Sequence, residues 1–446
     1  MYKTLSGPLV VQVEISAQCT NRCMHCYNFW REDNSLIGSQ NMPAEAIDQV
    51  MEKLIRAKVF HVVFTGGEPL LNKRVLFRAI EKAKAANITV GINSNLIPLV
   101  PKDAERLKEL GVANVLTSLM APTAKSHDEI AQLNGAFVKT VRGIQLLQKV
   151  GVSVMVNMVI SQKNKHLLRE TALFVKSLGI KHFSSTRAGC PGNCSDFSEM
   201  SLSLQDFRDY LAELHAVGEQ EKISVGVLES YPLCAIKEVG RYKSFIGRRC
   251  SAGVTTLTIA SNGDVRPCSH LDVIYGNIFN ENIDIIWSRM QEWRNGSLLP
   301  SECRSCKILT WCGGGCRMEA KMRNNSLTTV DPYAVPHDAE YAASELARIE
   351  QEKPSSLPLM FQLNPEARWR VENFGAVVFV GQRFRCYLNA IAAKFLQSLH
   401  RNQPYQISDF NGKFEGDLEW FLKRLYNNQI IMKGGEDHGQ GQEVGV

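Results

Sequence analysis

The run Cys19-Thr-Asn-Arg-Cys23-Met-His-Cys26-Tyr27 constrains this chain more than any other segment. Its spacing is C-x3-C-x2-C, and it follows the apolar, strand-like stretch Val10–Ile15 through the short link Ser16-Ala17-Gln18. That order puts the thiols on a loop at a strand's end, not along a helix face. Three thiolates this close can each take one iron of a [4Fe–4S] cube, leaving the fourth iron open to a small ligand. The alternative is a zinc knuckle, which needs a fourth Cys or His in a tight pattern. His25 lies between two of the cysteines but is poorly placed to share their metal.

A second motif follows about forty residues on. The β-like run His61–Phe64 ends in Thr65-Gly66-Gly67-Glu68-Pro69. Two glycines allow close approach of backbone to a ligand, and a carboxylate with exposed carbonyls can hold an ammonium group. Together the two motifs resemble the radical S-adenosylmethionine (SAM) superfamily. The resemblance implies that Cys19, Cys23 and Cys26 hold the cluster and that its open iron binds the methionine amino and carboxylate groups. It further implies that Gly66, Gly67, Glu68 and Pro69 contact the amino group and that His25 lies near the adenine. Its implied chemistry is reductive cleavage of SAM to a 5′-deoxyadenosyl radical that abstracts hydrogen, with electrons from a flavodoxin- or ferredoxin-type donor.

Residues 10–235 alternate strand-like segments (Val10–Ile15, His61–Phe64, Ile88–Ile92, Asn114–Ser118, Ser153–Val159, His182–Ser185) with helical patterns such as Ala44–Arg56, Arg74–Ala86, Phe137–Lys149 and Leu167–Leu178. Six βα repeats predict a parallel sheet with helices outside, and ligands then sit at the C-terminal strand ends. Both motifs fall there. The resemblance makes this an α/β partial (β/α)6 barrel. Asn95, Ser118, Asn157 and Arg187 also stand at or near strand ends, where the family contacts SAM ribose and carboxylate; turn chemistry and strand capping explain such residues equally well. Cys190 and Cys194, after the sixth strand, could donate a hydrogen atom, bind substrate or ligate a cluster, or be incidental thiols on a Gly/Pro loop.

From Cys250 the composition changes. The cysteines read Cys250-x12-Gly263-x4-Cys268, then Cys303-x2-Cys306-x5-Cys312-x3-Cys316, with a hairpin signal at Asn262-Gly263. Zinc ribbons are the alternative to a cluster domain here. The pattern resembles the SPASM domain of radical SAM maturases, which implies two auxiliary [4Fe–4S] clusters. Family pairing assigns Cys250, Cys268 and Cys316 to the first and Cys303, Cys306 and Cys312 to the second. The expected last cysteine is missing, with Ala334 in its place. Asp331 or His337 could supply the second cluster's fourth ligand, or the site could be open; Cys234 could complete the first cluster or be a plain buried thiol.

After a helical linker over 338–356, residues 357–434 read as short strands, then helices at Asn389–Leu399 and Leu418–Asn427, then a closing strand. This suggests a winged-helix-like α+β module and resembles the peptide chaperone of pyrroloquinoline quinone biosynthesis, which implies leader-peptide recognition by strand addition. Residues 435–446, rich in Gly, Gln and Glu, read as a disordered tail. The expected domains are therefore 1–235, 236–337, the linker, 357–434 and the tail.

Thirteen cysteines without an export signal predict metal or redox chemistry in a reducing cytoplasm rather than disulfides. No apolar run reaches bilayer length. Residues 357–446 carry ten Lys and Arg against nine Asp and Glu, which argues against a nucleic-acid-binding redox regulator. The expected function is modification of a ribosomal precursor peptide, by thioether or carbon–carbon crosslinking or by backbone excision. A maturase of a folded protein, of the sulfatase type, is the alternative.

Overall fold

The computed structural model describes residues 3–28, 41–190, 197–243, 245–246, 248–350, 356–410 and 417–434. The chain divides into two compact units, Met1–Ala347 and Arg348–Gly445.

The first unit is built on seven successive parallel strands: β1 (Val10–Ser16), β2 (His61–Gly66), β3 (Thr89–Asn93), β4 (Asn114–Ser118), β5 (Val154–Ile160), β6 (His182–Arg187) and β7 (Ser224–Val227). Helices α1 (Ala44–Arg56), α2 (Lys73–Ala85), α3 (Pro101–Glu109), α4 (Ala124–Ala131), α5 (Ala136–Lys149), α6 (Leu168–Ser177) and α7 (Leu204–Glu221) lie between them in sequence. The strands are nearly continuous apolar runs because both faces of a parallel sheet are covered. The helices are amphipathic: α1 buries Ile47, Val50, Met51 and Leu54 at helical spacing. The six expected strands are all present, and β7 adds a seventh. Its four residues, Ser-Val-Gly-Val, are too short a pattern to stand out in sequence.

The sheet does not stop at the expected boundary between 235 and 236. β8 (Thr256–Ile259), from the cysteine-rich segment, pairs in parallel with β1. The Asn262-Gly263 turn then reverses the chain into β9 (Asp264–Arg266), with Gly263 at φ +89°, and β10 (Gly276–Asn277) completes a ten-stranded sheet. A buried ion pair locks this junction: Arg266 donates to Glu14 of β1 at 2.6 Å and to the carbonyls of Ser269 and Leu271.

In the second unit β11 (Phe361–Leu363) pairs with β15 (Pro404–Tyr405) and β16 (Ile431–Lys433), while β12 (Ala367–Glu372), β13 (Gly375–Val380) and β14 (Arg383–Leu388) form an antiparallel meander. Helices Ala390–Ser398 and Leu418–Asn427 are capped by Asn389 and Asp417, whose side chains accept from Ala392 N (2.8 Å) and Trp420 N (2.9 Å). Phe361, Val378, Phe395, Leu396 and Leu422 share one core. This is the expected α+β module. The expected linker contains the helix Ala339–Glu350, and the tail lies outside the described residues. Among the described residues no helix is long and apolar enough to cross a membrane.

Candidate functional site

The cysteine loop leaves the sheet where the β1–β2 register shifts, between Glu14 and Ser16. Such an irregularity re-aims the chain at a strand end. The Gly-Gly-Glu-Pro turn is pressed against its first residues: Gly67 N donates to Ser16 O at 2.6 Å and Glu68 N to Gln18 O at 2.7 Å. A Cβ on Gly66 would lie 2.3 Å from Ser16 O, and one on Gly67 would lie 2.1 Å from Gln18 O. Gly66 also has φ +129°. Both glycines are therefore required by backbone approach within the protein, before any ligand is considered. Further along, Arg22 N and Met24 N donate to the carbonyls of Ala131 and Ile130 at the end of α4.

Cys19, Cys23 and Cys26 are half-buried thiols on this loop. Asn21 N and Asn95 Nδ2 each lie 3.5 Å from Cys19 Sγ, and Asn95 also donates to Thr20 Oγ1 at 2.8 Å. Donors aimed at sulfur suit a thiolate that carries metal. Two buried polar atoms of the loop, His25 Nδ1 and Asn28 Oδ1, have no hydrogen-bond partner among the described residues. Burial and His127 push the His25 pKa down to about 4, so its ring is neutral near pH 7. The donor set, the unsatisfied atoms and the close turn fit a cluster with a polar ligand. Among the described residues no three metal-binding side chains close on a point that would hold a single ion.

Glu68 differs from expectation. Its side chain is fully buried and committed within the protein, accepting from Leu70 N (3.0 Å), Ser94 Oγ (2.7 Å) and Asn95 N (2.7 Å). Burial pushes its pKa up to about 7 against the pull of these donors and Lys73. The carboxylate is thus a brace joining the turn to the end of β3. Pro69 opens the short helix Pro69–Asn72 behind it.

Ser118, Asn157 and Ser184 stand in register across β4, β5 and β6. Asn157 Oδ1 accepts from Ser184 Oγ at 3.2 Å and from Thr186 Oγ1 at 3.0 Å, so these strand ends form one polar row. Arg187 ends β6, and its buried Nη1 and Nη2 make no hydrogen bond among the described residues. Its buried guanidinium lies 3.5 Å from Asp331 and 4.3 Å from the Tyr333 ring centre. Burial works against its charge, and the carboxylates of Asp331 and Glu319 hold that charge on. Cys190 packs with Ala188, Phe197 and Met200, and Cys194 lies outside the described residues.

The cysteine-rich segment gathers its thiols in two sets. Cys250 acts electrostatically on both Cys268 and Cys316, and Cys306 and Cys312 on Cys303. Burial pushes Cys268 and Cys303 up to about 11, so as free thiols they keep their protons at neutral pH. A metal is the counter-charge such sites need. Backbone N–H groups again face sulfur: His270 N lies 3.4 Å from Cys268 Sγ and Leu233 N 3.4 Å from Cys312 Sγ. Between Cys312 and Cys316, Gly313, Gly314 and Gly315 all have positive φ, and Gly314 and Gly315 turn their N–H groups to Cys312. This tract lets Asp331 approach; a Cβ on Gly315 would meet it at 2.8 Å.

One contact was not foreseen from sequence. The Tyr27 ring, next to Cys26, lies 4.1 Å from the ring of His270, two residues after Cys268. It joins the N-terminal loop to the cysteine-rich segment.

Comparison with known proteins agrees with this geometry. Residues 13–175 match the radical SAM superfamily, and residues 250–307 match SPASM, an iron–sulfur cluster-binding domain. An AdoMet-dependent heme synthase of Methanosarcina barkeri is 24% identical over 357 residues, covering 75% of this chain and 98% of that protein. A PqqA peptide cyclase of Gluconobacter oxydans is 22% identical, covering 73% and 90%. Among solved structures, Streptococcus suis SuiB bound to precursor peptide SuiA matches with TM-score 0.59 and 19% identity, covering 73% of this chain and 75% of that one. AdoMet-bound anSMEcpe matches with TM-score 0.60 and 20% identity, covering 78% and 100%. These two likenesses establish the fold. The chain thus carries a radical SAM domain and a SPASM iron–sulfur domain, whose cofactors are S-adenosylmethionine and [4Fe–4S] clusters.

Proposed function

We propose that this enzyme modifies a ribosomally made precursor peptide and that the second unit receives the leader. The observation that carries the reading is a separate compact unit, Arg348–Gly445, whose three-stranded meander has β12 and β14 as its edge strands among the described residues. An extended peptide adds to such an edge through main-chain hydrogen bonds. Val371 of β12 is exposed and offers an apolar contact to an added strand. The similarity to PqqA peptide cyclases and to peptide-bound SuiB supports the same substrate class.

When bound, SAM and its cluster supply hydrogen-atom abstraction, and the auxiliary clusters supply an electron sink. Cys19, Cys23 and Cys26 would hold the first cluster, with Asn95 and Asn21 supporting Cys19, and the neutral ring of His25 would be available to the adenine. Ser118 and Asn157 offer polar contacts at the strand ends. A crosslink removes two hydrogens from the peptide, one as an atom and one as a proton plus an electron. An enzyme with an electron sink therefore suits crosslinking better than redox-neutral epimerisation.

A second reading, heme synthase activity, is favoured by the match to the Methanosarcina barkeri protein. That protein and the PqqA peptide cyclase are each covered to nine tenths or more by about three quarters of this chain, so length does not separate the two readings and the product of the reaction does. The test is anaerobic reaction of the full chain with the precursor from a neighbouring short reading frame. The expected product is lighter by two hydrogen atoms, and a chain ending after Glu350 should still cleave SAM but bind precursor much more weakly. Equal modification by the shortened chain removes the leader-binding role. An unmodified peptide alongside turnover of a porphyrin precursor would establish the second reading.

A further inference from the structure

The second thiol set, Cys303, Cys306 and Cys312, is one ligand short in sequence, with Ala334 in the expected position. In space the position is filled. Val335 N, one residue past Ala334, donates to Cys234 Sγ at 3.3 Å. Leu233 N, on the other side of Cys234, donates to Cys312 Sγ at 3.4 Å. The one-turn helix Leu233–Ala235 packs against the turn Pro336–Asp338. Cys234 is thus held between Cys312 and the segment where the missing cysteine would stand. The thiols named as acting on it are those of Cys312, Cys303 and Cys306.

The other candidates are engaged elsewhere. Asp331 Oδ2 accepts from Cys316 N at 2.8 Å, Oδ1 accepts from Tyr333 N at 2.9 Å, and the carboxylate faces Arg187. It stands at a cysteine of the first set. The His337 side chain is 81% exposed and pairs with Asp338 at 3.1 Å, whereas Cys234 is buried.

We propose that Cys234 is the fourth thiolate of the second auxiliary cluster, replacing in space the cysteine that Ala334 replaces in sequence. Its thiol loses a proton to solvent as the Fe–S bond forms, with no change of oxidation state. The Val335 N–H then stabilises the bound sulfur, as donors to cluster sulfurs do. This inference rests on the iron–sulfur domain and not on the identity of the substrate.

The test counts iron and records Mössbauer and electron paramagnetic resonance spectra of the anaerobically reconstituted full chain. Cys234→Ala should lose about four irons, one cube, or show a three-iron signal absent from the parent. SAM cleavage without substrate should stay intact. Adding Cys234→Ala to a Cys303→Ala/Cys306→Ala chain should remove no further iron, because one cluster is affected by both changes. Ala334→Cys in the Cys234→Ala background should restore the parent spectrum. Cys234→Ser, which keeps the side-chain volume, guards against misfolding of the alanine variant. Parent iron and spectra in Cys234→Ser, or further iron loss in the triple variant, overturn the proposal.

Discussion

Cys19, Cys23 and Cys26 lie on one short loop, whereas Cys234 and the Cys303–Cys312 set come from distant segments. The first site is fixed by main-chain contacts to the adjacent strand end: Gly67 N to Ser16 O and Glu68 N to Gln18 O. The second depends on docking of a one-turn helix against Cys312 and Val335. A local site is defined by spacing and tolerates little backbone change. A composite site can exchange one ligand for another from elsewhere in the chain, provided the sulfur arrives at the same place.

Replacing Cys19, Cys23 and Cys26 together by Ala should give the largest effect, loss of SAM cleavage to background, because Ala offers iron no ligand. 5′-Deoxyadenosine release by the reconstituted variant checks it. Next, Gly67→Ala forces a Cβ into Gln18 O and should displace the cysteine loop. If the overpacking of about 1–3 kcal/mol falls on the placement of the loop in the reacting state, the cleavage rate should drop by roughly 5- to 150-fold. Gly315→Ala, strained by φ +78° and by contact with Asp331, should spare that rate and instead lower auxiliary-cluster iron. A similar loss of SAM cleavage in both variants would break the distinction between the two sites.

The smallest effect concerns Glu68. Its folded pKa, about 7, is above the ordinary 4.5. Its contribution is therefore fully present below about pH 4.5 and is lost as pH rises through 7. The apo chain should lose up to about 3 kcal/mol of stability from this group across that window, and Glu68→Gln should flatten that part of the denaturation-versus-pH curve. An unchanged slope in the variant would mean that the carboxylate is ionised throughout.

Much of this was legible because the signals are local. Strand runs bury both faces, amphipathic helices repeat at helical spacing, and the two motifs fall at strand ends; Asn114–Ser118 and Leu418–Asn427 have the bounds their patterns predict. What escaped the sequence is long-range. Glu68 reads as a ligand group, yet its carboxylate turns inward to Ser94 and Asn95. Nothing near Arg187 in the sequence marks its partner Asp331, 144 positions on. Tyr27 and His270 carried no signal that they would meet.

The sequence by itself determined the alternating α/β order, the loop with its three thiols, the glycines beside it and the composition of the cysteine-rich segment. These depend on residue type and short spacing, which hydrophobic periodicity and steric limits on the backbone read directly. Only the tertiary structure decided that β8 joins β1, that Tyr27 lies by His270, and that Cys234 stands with Cys312. Those pairings arise from burial of whole elements against one another, and no local pattern records which distant residue a buried surface will bring into contact.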